Sequence, residues 1–149
     1  MLKHIILCWL TCLSWTLAQA ESTPSFAGTL KDIIGTVQVV RGEQAPMVAK
    51  SGMKGLINDE ILTGKDASVG VVLVDGTRLS IGANSQTRMS EVAFNGTTQE
   101  GNILIKLYRG TLRMITGLIA ANNPQAVKVV TPTSVVGIRG TDFIVQVAE

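Results

Sequence analysis

The sequence predicts an all-β protein built from short strands. Apolar residues alternate with a period of two, as in Ile103, Ile105 and Leu107, and no stretch after the N-terminus keeps a helical period over three turns. Gly-Thr occurs six times, which is typical of a turn glycine followed by a β-branched residue that opens a strand. Because these pairs have no fixed spacing, the residues alone leave an antiparallel sandwich, a small barrel and an uneven solenoid open.

Residues 1–20 have the layout of a secretory signal peptide. Lys3 precedes an apolar run, Ile5–Leu17, and the small residues of Ala18–Ala20 predict cleavage before Glu21. A membrane-spanning helix needs about 20 apolar residues, and this run is shorter. We therefore expect an exported periplasmic protein, with an extracellular location as the alternative.

Removal of residues 1–20 changes which chemistry the chain can support. Both cysteines, both tryptophans and the single histidine lie in that segment. The rest of the chain has twelve Lys and Arg residues and eleven Asp and Glu residues, so its net charge is +1. Zinc and haem sites, Ser-His-Asp and Cys-His nucleophiles and disulfides are excluded, and a near-neutral chain is a poor nucleic-acid binder. We expect no cofactor, no metal and no enzymatic activity.

Four acidic residues invite a calcium or glycosidase interpretation: Asp59, Glu60, Asp66 and Asp75. Their spacing matches neither an EF-hand loop nor a glycine-aspartate repeat. A glycosidase needs two carboxylates at a defined separation, and the sequence pairs none of them. We therefore expect neither a calcium site nor a glycosidase centre at these residues.

The turns and strands follow in order along a single predicted domain, 30–149, after a lead-in at 21–29. Asp75-Gly76 separates two apolar runs and predicts a tight turn. The segment 45–56 predicts a strand with long turns, 91–102 a hairpin loop, and 115–125 one short helical turn.

Arg139, Gly140, Thr141 and Asp142 form a polar cluster inside an otherwise apolar run. The favoured interpretation is a turn at Gly140 in which a half-buried Arg139 is satisfied by Asp142 or by strand-end carbonyls. The alternative is that Arg139 binds a carboxylate of a partner. Arg41 and Arg109 also precede glycines. Either the apolar part of each arginine side chain covers a strand edge while its head group stays in water, or the arginines form a basic stripe on stacked turns.

The ordered motifs resemble the FecR domain family of bacterial envelope proteins. The matching segments are GTVQVVRG, NDEILTGKDASVGVVLVDGTRLSIGANS, IKLYRGTLRM and VVTPTSVVGIRGTDFIV, which span about Leu30 to Val147. The residues that carry the resemblance are Thr63, Gly64, Asp75, Gly76, Arg109, Gly110, Thr131, Pro132, Arg139, Gly140, Thr141, Asp142 and Phe143.

The resemblance implies a compact all-β domain with strands wound in a solenoid-like or rolled arrangement, with a β-sandwich as the alternative. It also implies a non-catalytic protein-interaction module in envelope signalling or assembly, whose partner is an envelope protein such as a membrane sensor. The alternative function is a regulator in an extracytoplasmic sigma-factor or transmembrane signalling pathway. Such relatives carry a membrane helix, which this sequence does not show beyond its signal peptide, so we favour the first.

Overall fold

The computed structural model describes residues 25–148, and the predicted signal peptide lies outside them. Within this range the chain forms twelve strands, one short helix and one 3₁₀ turn, so the predicted all-β class is confirmed. The elements are β1 (Phe26–Ile34), β2 (Val37–Val40), β3 (Met47–Val48), β4 (Lys54–Leu56), β5 (Glu60–Thr63), β6 (Ser68–Leu73), β7 (Arg78–Ile81), β8 (Gln86–Phe94), β9 (Gly101–Ile115), α1 (Leu118–Asn122), the 3₁₀ turn (Pro124–Ala126), β10 (Val127–Val130), β11 (Val135–Gly137) and β12 (Asp142–Val147).

The strands form one curled sheet that is held together by β9. The first half of β9 pairs with β8 and β10, and its second half pairs with β7 and β12. Strands β5, β2 and β3 continue the sheet beyond β8, while β6, β1 and β4 continue it beyond β7. All pairs are antiparallel except β9 with β10. This curled half-barrel confirms the predicted rolled arrangement.

A bulge divides β9 into its two halves. Gln86 pairs with Arg109 and Thr87 pairs with Leu107, so Tyr108 is the extra residue. The buried side chains accordingly fall on odd positions up to Leu107 and on even positions from Leu112 onward. A bulge shifts the alternation by one residue and bends the strand, which allows both halves to face one core.

The connection between β11 and β12 shows how far β9 bends. Gly137 lies across β10 from Leu104, whereas Asp142 pairs with Ile115. In a straight strand, Leu104 and Ile115 would be about 36 Å apart, because each residue advances about 3.3 Å. The five steps from Gly137 to Asp142 reach at most about 18 Å. The two halves of β9 must therefore fold toward each other.

The core lies inside this roll and is aliphatic. Its largest fully buried side chains are Leu30, Val37, Ile61, Leu79, Ile81, Met89, Ile103, Ile105, Leu107, Leu112, Met114 and Ile119. Five of them belong to β9, so this strand supplies side chains to the core on both sides of the bulge. Burial of this apolar surface is the main stabilising contribution to a fold without disulfides in the described range.

Several local predictions can be compared with these elements. The turn at Asp75-Gly76 joins β6 to β7, and α1 lies within 115–125, as predicted. The predicted hairpin loop at 91–102 is shorter, because β8 runs on to Phe94 and β9 begins at Gly101. β1 begins at Phe26, four residues before the predicted start of the domain, because Ala27 is already buried in the core. No helix in the described range is long and apolar enough to cross a membrane.

Candidate functional site

Thr63 and Gly110 meet at Ser85, at the corner where β9 bends. The Thr63 hydroxyl donates to the Gly82 carbonyl at 2.6 Å and accepts from the Ser85 amide at 2.8 Å. The Ser85 hydroxyl accepts from the Thr111 amide at 3.0 Å. Thr63 and Ser85 are both buried, so these bonds satisfy polar groups that would otherwise be costly in the core. This cluster joins β5 and the β7–β8 turn to β9.

Gly64 extends the same corner through its backbone. Its amide donates to the Thr36 carbonyl at 3.0 Å, and its carbonyl accepts from the amides of Ala67 and Asn84. The turn after β5 is thereby tied to the turn after β1 and to the β7–β8 turn. The role of Thr63-Gly64 in the structure is to hold turns together.

Asp75 is a buried carboxylate that organises the β6–β7 turn. Its Oδ1 accepts from the Thr77 amide at 3.0 Å and its Oδ2 accepts from the Thr77 hydroxyl at 2.8 Å. Gly76 has a φ of +86°, which this tight turn requires. Asp75 also accepts, through its carbonyl, from the Leu118 amide and, through Oδ2, from the Ile119 amide. The turn therefore anchors the start of α1.

Asp142 pairs with Arg113 rather than with Arg139. Arg113 Nε donates to Asp142 Oδ1 at 3.0 Å and Arg113 Nη2 donates to Oδ2 at 2.6 Å. These hydrogen bonds lower the pKa of Asp142 below its ordinary value and raise the pKa of Arg113. Arg139 is exposed and makes no hydrogen bond within residues 25–148, and Gly140 follows with a φ of +119°. The predicted pairing of a half-buried Arg139 with Asp142 is therefore wrong, because the β9–β12 register brings Arg113 to Asp142.

The remaining residues of the last motif are placed by β10, β11 and β12. Thr131 closes the β10–β11 turn: its amide donates to the Ser134 carbonyl at 2.8 Å, and its hydroxyl accepts from the Ser134 amide at 3.0 Å. Pro132 is exposed at the tip of this turn. The Thr141 carbonyl accepts from the Thr116 amide at 2.9 Å, which starts the β9–β12 ladder. Phe143 is partly buried against the core.

The arginines that precede glycines do not form one stripe. Arg41 makes a bidentate pair with the fully buried Asp59, at 2.9 and 2.8 Å, and this interaction raises the pKa of Arg41. Arg109 is exposed and pairs with Gln86, at the opposite end of the β2–β5–β8–β9 ladder. The predicted basic stripe is therefore wrong for Arg41 and Arg109, and the partly exposed head group of Arg41 also has a partner that was not predicted, the buried carboxylate of Asp59.

Asp59 is a structural residue whose pairing could not be foreseen from its position alone. Its Oδ2 also accepts from the Leu56 amide at 2.8 Å. Across residues 25–148, no group of three or more acidic, histidine or cysteine side chains is arranged to hold a metal ion. The polar side chains of Thr63, Asp75 and Thr131 hold turns together, and the exposed strand edges are a further candidate surface.

The outer edge of β12 is a free strand edge. Because Thr116 donates to the Thr141 carbonyl, alternation along an antiparallel ladder turns the backbone groups of Asp142, Ile144 and Gln146 away from β9. No second strand of the described range pairs with them. Ile144 is 65% exposed, and β12 contains no proline, lysine or arginine that would protect an edge.

The three other edge strands of the described range are better protected. β4 has three residues and begins with Lys54. β3 has two residues, follows Pro46 and is followed closely by Lys50. β11 has three residues. Short length, proline and lysine are the common devices that prevent pairing at an edge. Sequence reasoning selected Phe143 in the last strand and missed Ile144 and Gln146, since alternation alone does not show that a strand is an edge.

The roll is open between β11 and β12. A cleft of about 390 Å³ lies there, lined by Thr131, Thr133, Ser134, Val136, Val145, Gln146, Val147 and Ala148. Val136, Val145 and Val147 pack against the core but remain partly exposed. The inner apolar face is therefore incompletely covered beside the free edge of β12.

Of three comparisons with known proteins, one shows the family of the chain. Among solved structures, a chain described as "Cell surface anchoring domain" is 28% identical, and the match covers 48% of this chain and 99% of that chain with a TM-score of 0.44. The comparison with curated proteins found no match. The family model described as "FecR protein" matches residues 59–149, which is more than half of the chain. The protein belongs to the FecR family.

Proposed function

We propose that the protein is a non-catalytic protein-interaction module of the bacterial envelope. It acts in the periplasm after export and binds an envelope protein, such as a membrane sensor or a component of an envelope assembly. The binding mode is strand addition, in which an extended segment of the partner pairs with the free edge of β12. In this mode the backbone hydrogen bonds provide affinity and the alternate side chains provide specificity.

The observation that carries this proposal is the unprotected edge of β12. It offers the backbone groups of three alternate residues, with the exposed Ile144 at the centre. An added strand would pair with these groups and would also cover the partly exposed Val145 and Val147 at the cleft. Soluble proteins seldom leave such an edge uncovered, because it pairs readily with other chains.

Two buried residues of the family motifs, Thr63 and Asp75, are poorly placed to bind a partner directly. The hydroxyl of Thr63 and the carboxylate of Asp75 are buried and are already hydrogen-bonded within the fold. A partner could reach them only by breaking these bonds, at a cost of about 1–3 kcal/mol for each polar group left unsatisfied. Binding at an edge breaks none of them.

Affinity capture with two matched variants tests the proposal. Ile144→Lys places a charge on the edge of β12, and Val48→Lys makes the equivalent change on β3, where the valine is 66% exposed. We expect the tagged wild type and Val48→Lys to capture the same protein from envelope extracts, and Ile144→Lys to lose it. Retention of that protein by Ile144→Lys would place binding elsewhere, and no specific capture by the wild type would contradict the interaction function.

The periplasmic location has its own test. We expect the protein purified from its native host to begin near Glu21 and to fractionate with soluble envelope proteins, because residues 1–20 have a signal-peptide layout. N-terminal sequencing of the purified protein measures this directly. An intact Met1 in the inner-membrane fraction would contradict the export proposal.

A further inference from the structure

We infer that, in the absence of its partner, the free edge of β12 pairs with β12 of a second copy of this chain. The two strands would run antiparallel about a two-fold axis at Ile144. This inference rests on the proposed function, since it uses the same edge, and it names the occupant of that edge in the free protein. Two-fold pairing of identical surfaces is the commonest form of self-association.

The backbone of β12 fixes the register of such a pair. Only Asp142, Ile144 and Gln146 turn their amides and carbonyls outward, so these residues must face each other across the two-fold axis. Ile144 then lies opposite Ile144 of the second copy. Asp142 of each copy lies opposite Gln146 of the other. All the outward groups are then used, which gives about six hydrogen bonds.

The side chains on the outer face are complementary in this register. Asp142 meets an amide rather than another carboxylate, so no like charges stand directly opposite each other. The Asp142 carboxylate is already held by Arg113, which leaves its remaining lone pairs for the amide of Gln146. The two Ile144 side chains, each 65% exposed in one copy, cover each other.

The inner face gains from the same register. Phe143 would lie opposite Val145 of the second copy, because the pairing is symmetric about Ile144. Phe143 and Val145 are only partly buried in one copy, where they pack at the border of the core. A second copy therefore extends the apolar face of each roll next to the cleft. One pair of short strands makes a small interface, and such interfaces are typical of weak, reversible association.

Sedimentation equilibrium of the purified protein from micromolar to millimolar concentration tests the inference. We expect a concentration-dependent dimer. Gln146→Lys should tighten it, because this lysine faces the carboxylate of Asp142 in the second copy, whereas a lysine at position 144 would face another lysine. Gln146→Glu should weaken it, because two carboxylates would then face each other. The contact occurs twice by symmetry, so each change should alter the dimer Kd by roughly 2- to 30-fold.

Two further variants provide the control. Ile144→Lys should abolish the dimer, because two lysines would stand side by side at the axis. Val48→Lys carries the same charge at a site of matched exposure, 66% against 65%, and should dimerise like the wild type. Thermal unfolding of the Gln146 variants and of Val48→Lys should match that of the wild type, since these side chains are at the surface. The lysine of Ile144→Lys would stand opposite Arg113 in the β9–β12 ladder, so a small loss of stability is expected for this variant, and its dimerisation is measured well below its melting temperature.

The outcomes separate this inference from the proposed function. A protein that stays monomeric at all concentrations contradicts the inference. A dimer that Val48→Lys disrupts also contradicts it, and so does a dimer whose Kd changes in the same direction in both Gln146 variants. A monomer that still captures its partner through Ile144 leaves the proposed function standing. A dimer that captures no partner supports the inference and contradicts the proposed function.

Discussion

Asp142 shows that the partner of a charged residue is decided by strand register rather than by nearness along the chain. Arg139 is three residues away in sequence, yet Arg113 binds the carboxylate. Arg113 pairs with Ile144 in the ladder, which makes it a diagonal neighbour of Asp142. Diagonal neighbours in an antiparallel pair are within reach of a long side chain. The exposed Arg139 is thus dispensable for this interaction.

We predict that the carboxyl of Asp142 titrates below the ordinary aspartate pKa and that Arg113 causes this. Arg113→Gln removes the hydrogen bonds that favour the charged form, so the pKa of Asp142 should rise toward its ordinary value. Arg139→Gln removes the same charge and should leave that pKa unchanged. Carbon-detected NMR titration of the side-chain carboxyl measures both effects.

The same shift determines how stability depends on pH. Because folding lowers the pKa of Asp142, the pair stabilises the fold above about pH 3.9, the ordinary value, and this contribution is lost as pH falls through the lowered pKa. Both side chains are exposed, so the effect is small and weakened by salt. If the pKa of Asp142 changed in Arg139→Gln and not in Arg113→Gln, the partner of Asp142 would be Arg139 and the Arg113–Asp142 pair would be contradicted.

At the scale of the element, β9 determines the shape of the molecule. It contacts four strands, and its bulge at Tyr108 moves the buried face from odd to even positions. The sequence predicts the alternation of Ile103, Ile105 and Leu107 correctly. It does not predict the one-residue shift in this alternation at the bulge, because a bulge depends on which residues of β8 lie opposite those of β9. The long-range pairing of Gln86 with Arg109 is needed to see it.

We predict that Gly110→Ala destabilises the protein more than Gly76→Ala. Both glycines have a left-handed φ, +89° and +86°, so alanine costs about 1–2 kcal/mol of backbone strain at either site. A Cβ on Gly110 would also collide with the hydroxyl and the backbone of Ser85, whereas the position on Gly76 is open within 4 Å. Unfolding in denaturant measures the difference.

The collision at Gly110 should make the difference between the two alanine variants at least about 1 kcal/mol, since off-geometry packing in a core typically costs 1–3 kcal/mol. Gly76→Ala serves as the control for backbone strain, because its φ nearly equals that of Gly110. Equal losses of stability would mean that the corner can relax around a methyl group, and that Ser85 does not fix the bend of β9.

For the whole molecule, the class and the local turns were predictable, but the open side of the roll was not. The turn at Asp75-Gly76 and the alternation in β12 depend on neighbouring residues, and both agree with the structure. The rolled arrangement was implied by the family resemblance. The free edge of β12 results from the curl of β9 and from the short connection before Asp142. These are global properties, so Ile144 and Gln146 could not be selected from the pattern.

The last prediction concerns what holds this molecule together as a whole. The chain after residue 20 contains no cysteine or histidine, and the two fully buried carboxylates of the described range are satisfied by Arg41 and by the Thr77 turn. We therefore expect the melting temperature to be the same with and without EDTA, and with and without reductant. Asp59→Asn should lower it in every condition, because Arg41 then loses its charged partner. A melting temperature that falls only in EDTA would reveal a bound cation and contradict a fold stabilised by its aliphatic core and internal hydrogen bonds alone.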